Sequence, residues 1–521
     1  MQSNALVIAC LVAGLLAVAR ASRKSRQRRY PPGPNGLPIL KNLFDIPRTY
    51  SWLTYEAWGR EYNSDVVHFE ALGLHFVVLN STEAAKELLE GRSHIYSDRH
   101  ETVMARDLTG WHRHWGIMAY GDAWRQRRRL FHQHFRPQAV PQYHEPMVRS
   151  ARTLLQLLLE SPDDWMRHVH QALTVRSVSG GTVLKVLYAV DVDPHDDEGM
   201  DVVDKALQIF MKLPEPFVVN FIPPLKHLPA WFPGAGFKRR AMEWKVHVDR
   251  MFEEPYHKIK VAAQSGTARP CIATSLLSAA WEDLENPDVE EQLISVLGTA
   301  YAMMLYPDVQ RKAQEELDQV VGRDRLPEIA DRESLPYFSA VLKEVFRWHP
   351  VTPIAAPHKS LEDDWYKGYF IPAGTIVFGN TWAILHEESR YAEPDVLRPE
   401  RFLTPAGTLD PAVPDPDEVF GYGRRICPGR YFVQDALFLY ASHLLAAFTL
   451  SKFVDDEGHV EEPSRETVSP IFIKRREEAY MHFRHFEDPE GVQGEYQTAI
   501  RGCRKAGPDG IHFGIMILVG L

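Results

Sequence analysis

Cysteine is scarce: Cys10, Cys271, Cys427 and Cys503 are the only four in 521 residues. None stands in a C-x-x-C pair, which excludes a disulfide framework, leaves a structural zinc site without support and places the body of the protein in a reducing compartment. An excess of basic charge is also lacking. The formal net charge is -10, and the first 30 residues contribute six cations (Arg20, Arg23, Lys24, Arg26, Arg28, Arg29) and no acid, so the remainder carries -10 - 6 = -16. Such a body has no cationic footprint for nucleic acid. Internal repeats and long low-complexity tracts are absent as well, and with 45% hydrophobic and 25% charged residues the composition excludes both a disordered chain and a multi-span membrane protein.

No apolar run reaches the ~20 residues that a helix needs to cross a bilayer core. Ala5 to Ala19 comes nearest, with 15, and Met1 to Asn4 extends it without charge. All the positive charge follows this run, whereas a cleaved secretory signal has its charge in front. Residues 1–29 are therefore expected to be a retained single-pass membrane anchor, with the chain beyond residue 30 cytosolic by the positive-inside rule. The proline-rich stretch Pro31 to Pro38 then forms a stiff, extended connector.

From about Tyr50 onward the pattern is that of one large, mainly helical domain with small β-sheets. Val66 to Leu72 and Leu74 to Leu79, broken at Gly73, predict a hairpin, after which Asn80 with Glu83 opens a helix through a capping box. Helical periodicity recurs at Ala151 to Leu159, Val309 to Val321, Tyr337 to Trp348 and Arg430 to Phe448, and short strands are expected at Gly368 to Ile371 and Ile376 to Phe378. Pro-rich stretches at Pro223 to Pro233 and Pro350 to Pro357 are turns inside the domain.

The chemistry concentrates in F-G-Y-G-R-R-I-C-P-G, Phe420 to Gly429, directly before the Arg430 helix. A helix N-terminus offers backbone donors and the positive end of a dipole, which together lower a thiol's pKa, and Cys427 has that placement. Gly423 and Gly429 allow close backbone approach to a flat macrocycle, and Arg425 offers a charge-assisted partner to an acidic cofactor edge. Two further patterns accompany it: Glu344 and Arg347, an i, i+3 pair on one helix face, and W-R-Q-R-R at Trp124 to Arg128.

At these residues the chain resembles the cytochrome P450 family, microsomal and fungal in type. The family's heme loop F-x-x-G-x-R-x-C-x-G matches at Phe420, Gly423, Arg425, Cys427 and Gly429. The resemblance implies heme b with Cys427 as the axial thiolate on iron, Phe420 against the sulfur, and Arg425, Trp124, Arg128 and His358 at the propionates. Glu344, Arg347 and Arg401 (in P-E-R-F) correspond to the structural triad that locks the core around the heme loop. It further implies the family's fold over residues 30–476 and a lipophilic small-molecule substrate held by Val103 to Ala119, Leu207 to Phe237 and Val351 to Pro357. Electrons would come from an NADPH-cytochrome reductase at the endoplasmic reticulum membrane, with Arg125, Arg127 and Arg129 as a docking face or a solvated helix face.

Two departures stand out. The family's [AG]-G-x-[DE]-T-T segment, whose acid and alcohol manage protons during oxygen cleavage, is missing: between Glu291 and Asp308 there is no acidic residue. The familiar flanks meet at Ala302 and Met303 as at an internal deletion, and Thr299 is the nearest aliphatic hydroxyl before that join. Residues 477–521 match nothing in the family and form an atypical tail. Three readings stay open: a reductase-fed monooxygenase, a heme-thiolate enzyme that does not activate oxygen reductively (peroxygenase, isomerase or dehydratase), and a protein whose central helix is too damaged for turnover.

Overall fold

The computed structural model of the chain describes residues 29–114, 116–160, 205–265 apart from 207, 211, 214 and 216, and then 299, 301–452, 459 and 481–485. Among them seven helices exceed ten residues: α1 (Ser51–Glu61), α2 (Asp122–Phe135), α3 (His144–Glu160), α4 (Gly236–Gln264), α5 (Pro307–Val320), α6 (Pro336–Trp348) and α7 (Arg430–Ala447). The strands are short: β1 (Val66–Ala71), β2 (Leu74–Leu79), β3 (His358–Lys359), β4 (Asp364–Tyr366), β5 (Tyr369–Ile371), β6 (Ile376–Gly379), β7 (Phe448–Lys452) and β8 (Met481–His485).

Helix α7 is the axis of the core. It is apolar nearly all round, as a helix enclosed on every side must be, and its residues from Phe432 to Leu445 are almost all buried. Helices α3, α5 and α6 pack around it. Each large side chain buried there contributes about 1.5 to 3 kcal/mol of transfer free energy. The principal sheet has the order β1-β2-β6-β3, with β2 and β6 parallel and the other pairs antiparallel. Phe69 and Phe76 face each other across β1 and β2 with their rings stacked at 4.7 Å.

The expected hairpin is present, with Leu72 moved out of the strand. Ala71 pairs with Leu74, so Leu72 (φ 49°) and Gly73 (φ 84°) form a two-residue turn with both residues left-handed, the geometry that suits strand twist. The helix that follows is capped by Ser81 and not by Asn80. The Ser81 hydroxyl accepts from the Ala84 N–H, while the Asn80 amide donates to the Tyr55 carbonyl and accepts from the Asn380 amide. A tertiary bridge between α1 and the end of β6 outcompetes the local cap.

The proline-rich connector is also more than a spacer. The Pro32 carbonyl accepts from the His68 N–H, and a Cβ on Gly33 would lie 1.9 Å from the His68 carbonyl oxygen, so the segment is docked against β1. The anchor expected over residues 1–29 lies outside the described residues except for Arg29, whose carbonyl accepts from the Phe370 N–H of β5. No helix among the described residues is long and apolar enough to cross a membrane.

At the join, the backbone stays helical from 301 to 305, the Tyr306 N–H donates to the Ala302 carbonyl at 2.9 Å, and α5 starts at Pro307. Thr299, Tyr301, Ala302, Met303 and Met304 are buried. At the other end, β8 lies beyond the boundary expected at 476 and pairs antiparallel with β7, Phe448 opposite His485.

Candidate functional site

The cysteine loop is built from two single helical turns, Asp417–Phe420 and Gly423–Arg425, leading to the N-terminus of α7. The Cys427 N–H donates to the Phe420 carbonyl at 2.7 Å, closing the loop so that the half-buried thiol sits three residues ahead of the first residue of α7. The positive end of an 18-residue helix then favours the thiolate. Phe420 is buried and meets Phe346 of α6 edge to face at 5.5 Å.

The glycines divide. Gly423 has φ 55°, and a Cβ there would lie 2.1 Å from the Leu89 carbonyl oxygen. The need for glycine at 423 therefore comes from the chain's own turn at Lys86–Gly91, where the sequence suggested approach to a macrocycle. Gly429 has φ −85°, which any residue adopts, so its backbone imposes no such need.

Around Arg425 the fold gathers cations. Arg425 donates through Nε to the Ser97 carbonyl (2.7 Å) and through Nη2 to the Met118 carbonyl (2.8 Å), and its guanidinium lies 4.3 Å over the Trp124 ring. Arg99, a residue with no motif around it, is buried beside it. It donates to the Gly116, Ala356 and Pro357 carbonyls. Arg128 is near enough to repel Arg425. His358 on β3 is buried and bonded through Nδ1 to the Tyr96 carbonyl at 2.7 Å. Since that carbonyl only accepts, Nδ1 carries the proton and the neutral ring keeps its lone pair on Nε2.

This cluster is short of negative charge. Asp98 is its carboxylate, and it already accepts the Tyr120 N–H and the Lys359 ammonium. Burial, with Arg99 next, pushes the Arg425 guanidinium down to about 8; burial lowers Arg99 to about 10; and burial with Arg99 takes His358 well below its ordinary range. Arg425 Nη1 and Trp124 Nε1 are both buried with no hydrogen-bond partner. A buried donor left unmade costs about 1 to 3 kcal/mol, more when charged. Two orphaned donors among under-compensated cations are what an anionic edge entering from outside would satisfy. Heme b, with two carboxylates on one edge, fits the donor set, and the Cys427 thiol supplies the soft ligand that iron accepts.

Glu344, Arg347 and Arg401 come together elsewhere, two guanidiniums on one carboxylate, with hydrogen-bond partners drawn from within the fold. Arg347 makes a two-pronged bond to Glu344 (2.7 and 2.8 Å), and both side chains are wholly buried. Arg401 Nε reaches the same carboxylate at 3.0 Å, as does the Arg398 N–H at 2.8 Å. The remaining guanidinium N–H groups donate to the Leu385, Ala392, Glu393 and Val396 carbonyls.

Sequence reasoning missed Arg99, Asp98, Tyr391, Arg390 and Glu418. Only Asp98 and Arg99 have neighbours in the chain that hint at anything, a lone D-R pair. The others carry no periodic or motif signal. Thr299 is buried in the segment leading into the join, and Gln292 to Pro307 provides no carboxylate.

Comparison with known proteins agrees with this geometry. The cytochrome P450 family model matches residues 31–475. Cytochrome P450 monooxygenase ple1 of Rhodocybe pseudopiperita is 40% identical over 469 residues, covering 85% of this chain and 87% of that protein. Tryptamine 4-monooxygenase of Psilocybe cyanescens is 36% identical over 478 residues (87% and 92%), and cytochrome P450 monooxygenase 208 of Postia placenta is 37% identical over 477 (87% and 90%).

Proposed function

Because this chain belongs to the cytochrome P450 family, whose members bind heme b through a cysteine thiolate, we propose that Cys427 is its axial ligand and that the protein is a heme-dependent monooxygenase acting on a lipophilic small molecule. The orphaned, under-compensated donors of the Arg425 cluster carry this reading. Arg425 Nη1 and Trp124 Nε1 would bind the propionates, with Arg128 and His358 beside them, and Arg99 would hold the 116–118 segment against them. The heme, when bound, supplies activation of dioxygen and insertion of one oxygen atom into substrate. The protein's part is to keep the Cys427 sulfur ionised, fix the plane of the group and exclude water.

In this reading residues 1–29 anchor the chain in the endoplasmic reticulum membrane, the cytosolic catalytic domain runs from residue 30 past the expected boundary at 476 to include β8, and the atypical tail follows β8. An NADPH-cytochrome reductase delivers electrons. The test is the carbon monoxide complex of the reduced protein. A thiolate-type, strongly red-shifted Soret band is expected and should vanish in Cys427→Ala. A band that survives this change overturns the assignment.

A second reading is favoured by one observation, the lack of any carboxylate from Gln292 to Pro307. The relative ple1 also aligns over 469 positions, more than 85% of 521 residues provides, so it contains residues that this chain lacks. A heme-thiolate enzyme that uses peroxide, or rearranges its substrate, needs no acid-alcohol pair. Turnover with peroxide but none with reductase and NADPH would select it, and Thr299→Ala would then leave the rate unchanged.

A further inference from the structure

Tyr391 lies between the Glu344 ion cluster and the cysteine loop, and nothing in the motifs assigns it a part. It is 2% exposed, and its ring has three guanidinium carbons near it: Arg390 at 4.9 Å, Arg347 at 5.4 Å and Arg401 at 5.9 Å. Its hydroxyl has no hydrogen-bond partner. The ring is thus in contact with cations while the polar end of the side chain goes unused.

The three arginines share two buried carboxylates. Glu344 serves Arg347 and Arg401, and Glu418 serves Arg390 through contacts of 2.6 and 3.4 Å. Glu387 adds attraction to Arg390 from the surface side, and Arg398 spends its own guanidinium on Glu393. Three cations on two buried carboxylates leave an excess of positive charge. The negative face of an aromatic ring attracts such charge, the more strongly the more the cation is desolvated.

Glu418 is the link to function. It stands two residues before Phe420, its carbonyl accepts from the Gly421 N–H at 3.1 Å, and the Phe420 carbonyl accepts from the Cys427 N–H. Thr381 reaches the same Glu418 carbonyl and the Tyr422 hydroxyl. A continuous path of contacts therefore runs from Arg347 and Arg401 through the Tyr391 ring to Arg390, Glu418 and the loop that holds Cys427.

We infer that Tyr391 is a positioning residue: its ring, through cation–π contact with Arg347, Arg401 and Arg390, couples the Glu344 ion cluster to Glu418 and so holds the cysteine loop in its ligating conformation. The inference rests on Cys427 being the thiolate ligand. The ring also fills the main apolar core and meets Phe402 at 6.4 Å, so the inference differs from a packing role in what it requires of the ring's electrostatic face, beyond its volume and without its hydroxyl.

The test is a series at position 391 in the full-length heme-loaded protein: Tyr391→Phe, mono-, di- and trifluorinated phenylalanines introduced by suppression, and Tyr391→Leu. Fluorine drains the ring face at nearly constant volume. Two readouts are taken in guanidinium: the half-life of the thiolate-type Soret band of the carbon monoxide complex, and the unfolding midpoint by tryptophan fluorescence. The Phe variant should stay within about twofold of the parent half-life, each fluorine should shorten it, and the trifluoro and Leu variants should fall about tenfold. A flat fluorine series with loss only at Leu overturns the proposal, because the ring is then a space-filler. Loss at Phe equal to that at Leu also overturns it, because the hydroxyl is then in use. Stepwise loss of the midpoint with an unchanged band half-life overturns the coupling to the loop. A parent protein with no thiolate band refutes the reading of Cys427 itself and is distinguished by that from every outcome above.

Discussion

Two buried groups of arginines sit within one domain, and they are built on opposite terms. In the Glu344 cluster the carboxylate receives Arg347, Arg401 and the Arg398 N–H, and the spare guanidinium hydrogens find backbone carbonyls. In the Arg425 cluster three guanidiniums (Arg425, Arg99 and Arg128) and a neutral histidine gather near one already engaged carboxylate, and two donors, Arg425 Nη1 and Trp124 Nε1, have nothing to bond. The first finds its hydrogen-bond partners within the fold. The second is stable only to the extent that the rest of the fold forces it, which is how a site for an external anion is recognised without the anion.

The largest expected effect breaks the self-sufficient cluster. Glu344→Ala leaves Arg347 buried without a counter-charge and should cost about 3 to 5 kcal/mol, read from chemical denaturation of the heme-free protein. Arg425→Leu should do the reverse in the heme-free state, leaving stability unchanged or raising it, since it removes an under-compensated cation. The same change should weaken heme binding by about ten- to a hundredfold, the worth of a charge-assisted bond at roughly 1.5 to 3 kcal/mol. If Arg425→Leu destabilised the heme-free protein as Glu344→Ala does, the contrast between the clusters would be lost.

Acid should sharpen the contrast. His358 in the folded, heme-free protein has its pKa depressed, by burial first and then by Arg99, so the unfolded state binds more protons once pH falls below about 6.5. Stability contributed by the neutral ring is present above that pH and drains away below it. His358→Gln should therefore flatten the acid limb of the Tm against pH curve of heme-free protein, and heme loading should flatten it too, because an adjacent carboxylate relieves the depression. An unchanged acid limb in both cases would remove His358 from the anion site. The smallest effect belongs to Trp124→Phe, which removes one orphaned donor and keeps the ring under Arg425. Heme affinity should fall about three- to tenfold, one neutral hydrogen bond, with the heme-free Tm unmoved.

The legible parts were those in which a local pattern and the tertiary demand coincide. The β1–β2 hairpin, α5, α6 and α7 all follow the apolar periodicity to within a few residues, and the Glu344 to Arg347 spacing already puts both groups on one helix face. What was illegible involved partners far away in the chain. Asn80 reads as a cap until Asn380 and Tyr55 claim its amide. Gly423 reads as clearance for a cofactor until the Leu89 carbonyl occupies the space. Arg99 has no motif, yet it disfavours positive charge on Arg425 and His358 and ties together three carbonyls from two segments of the chain.

Sequence alone was enough to identify the residue types of a thiolate loop at a helix start, the paired charges of α6 and the missing acid ahead of Pro307, because each of these is a matter of spacing along one element. Tertiary structure alone decided which charges lack partners, which glycine is obligatory and that an aromatic ring at Tyr391 lies among three guanidiniums. Charge balance and steric clearance depend on distances between residues hundreds of positions apart, and those distances exist only once the chain has folded.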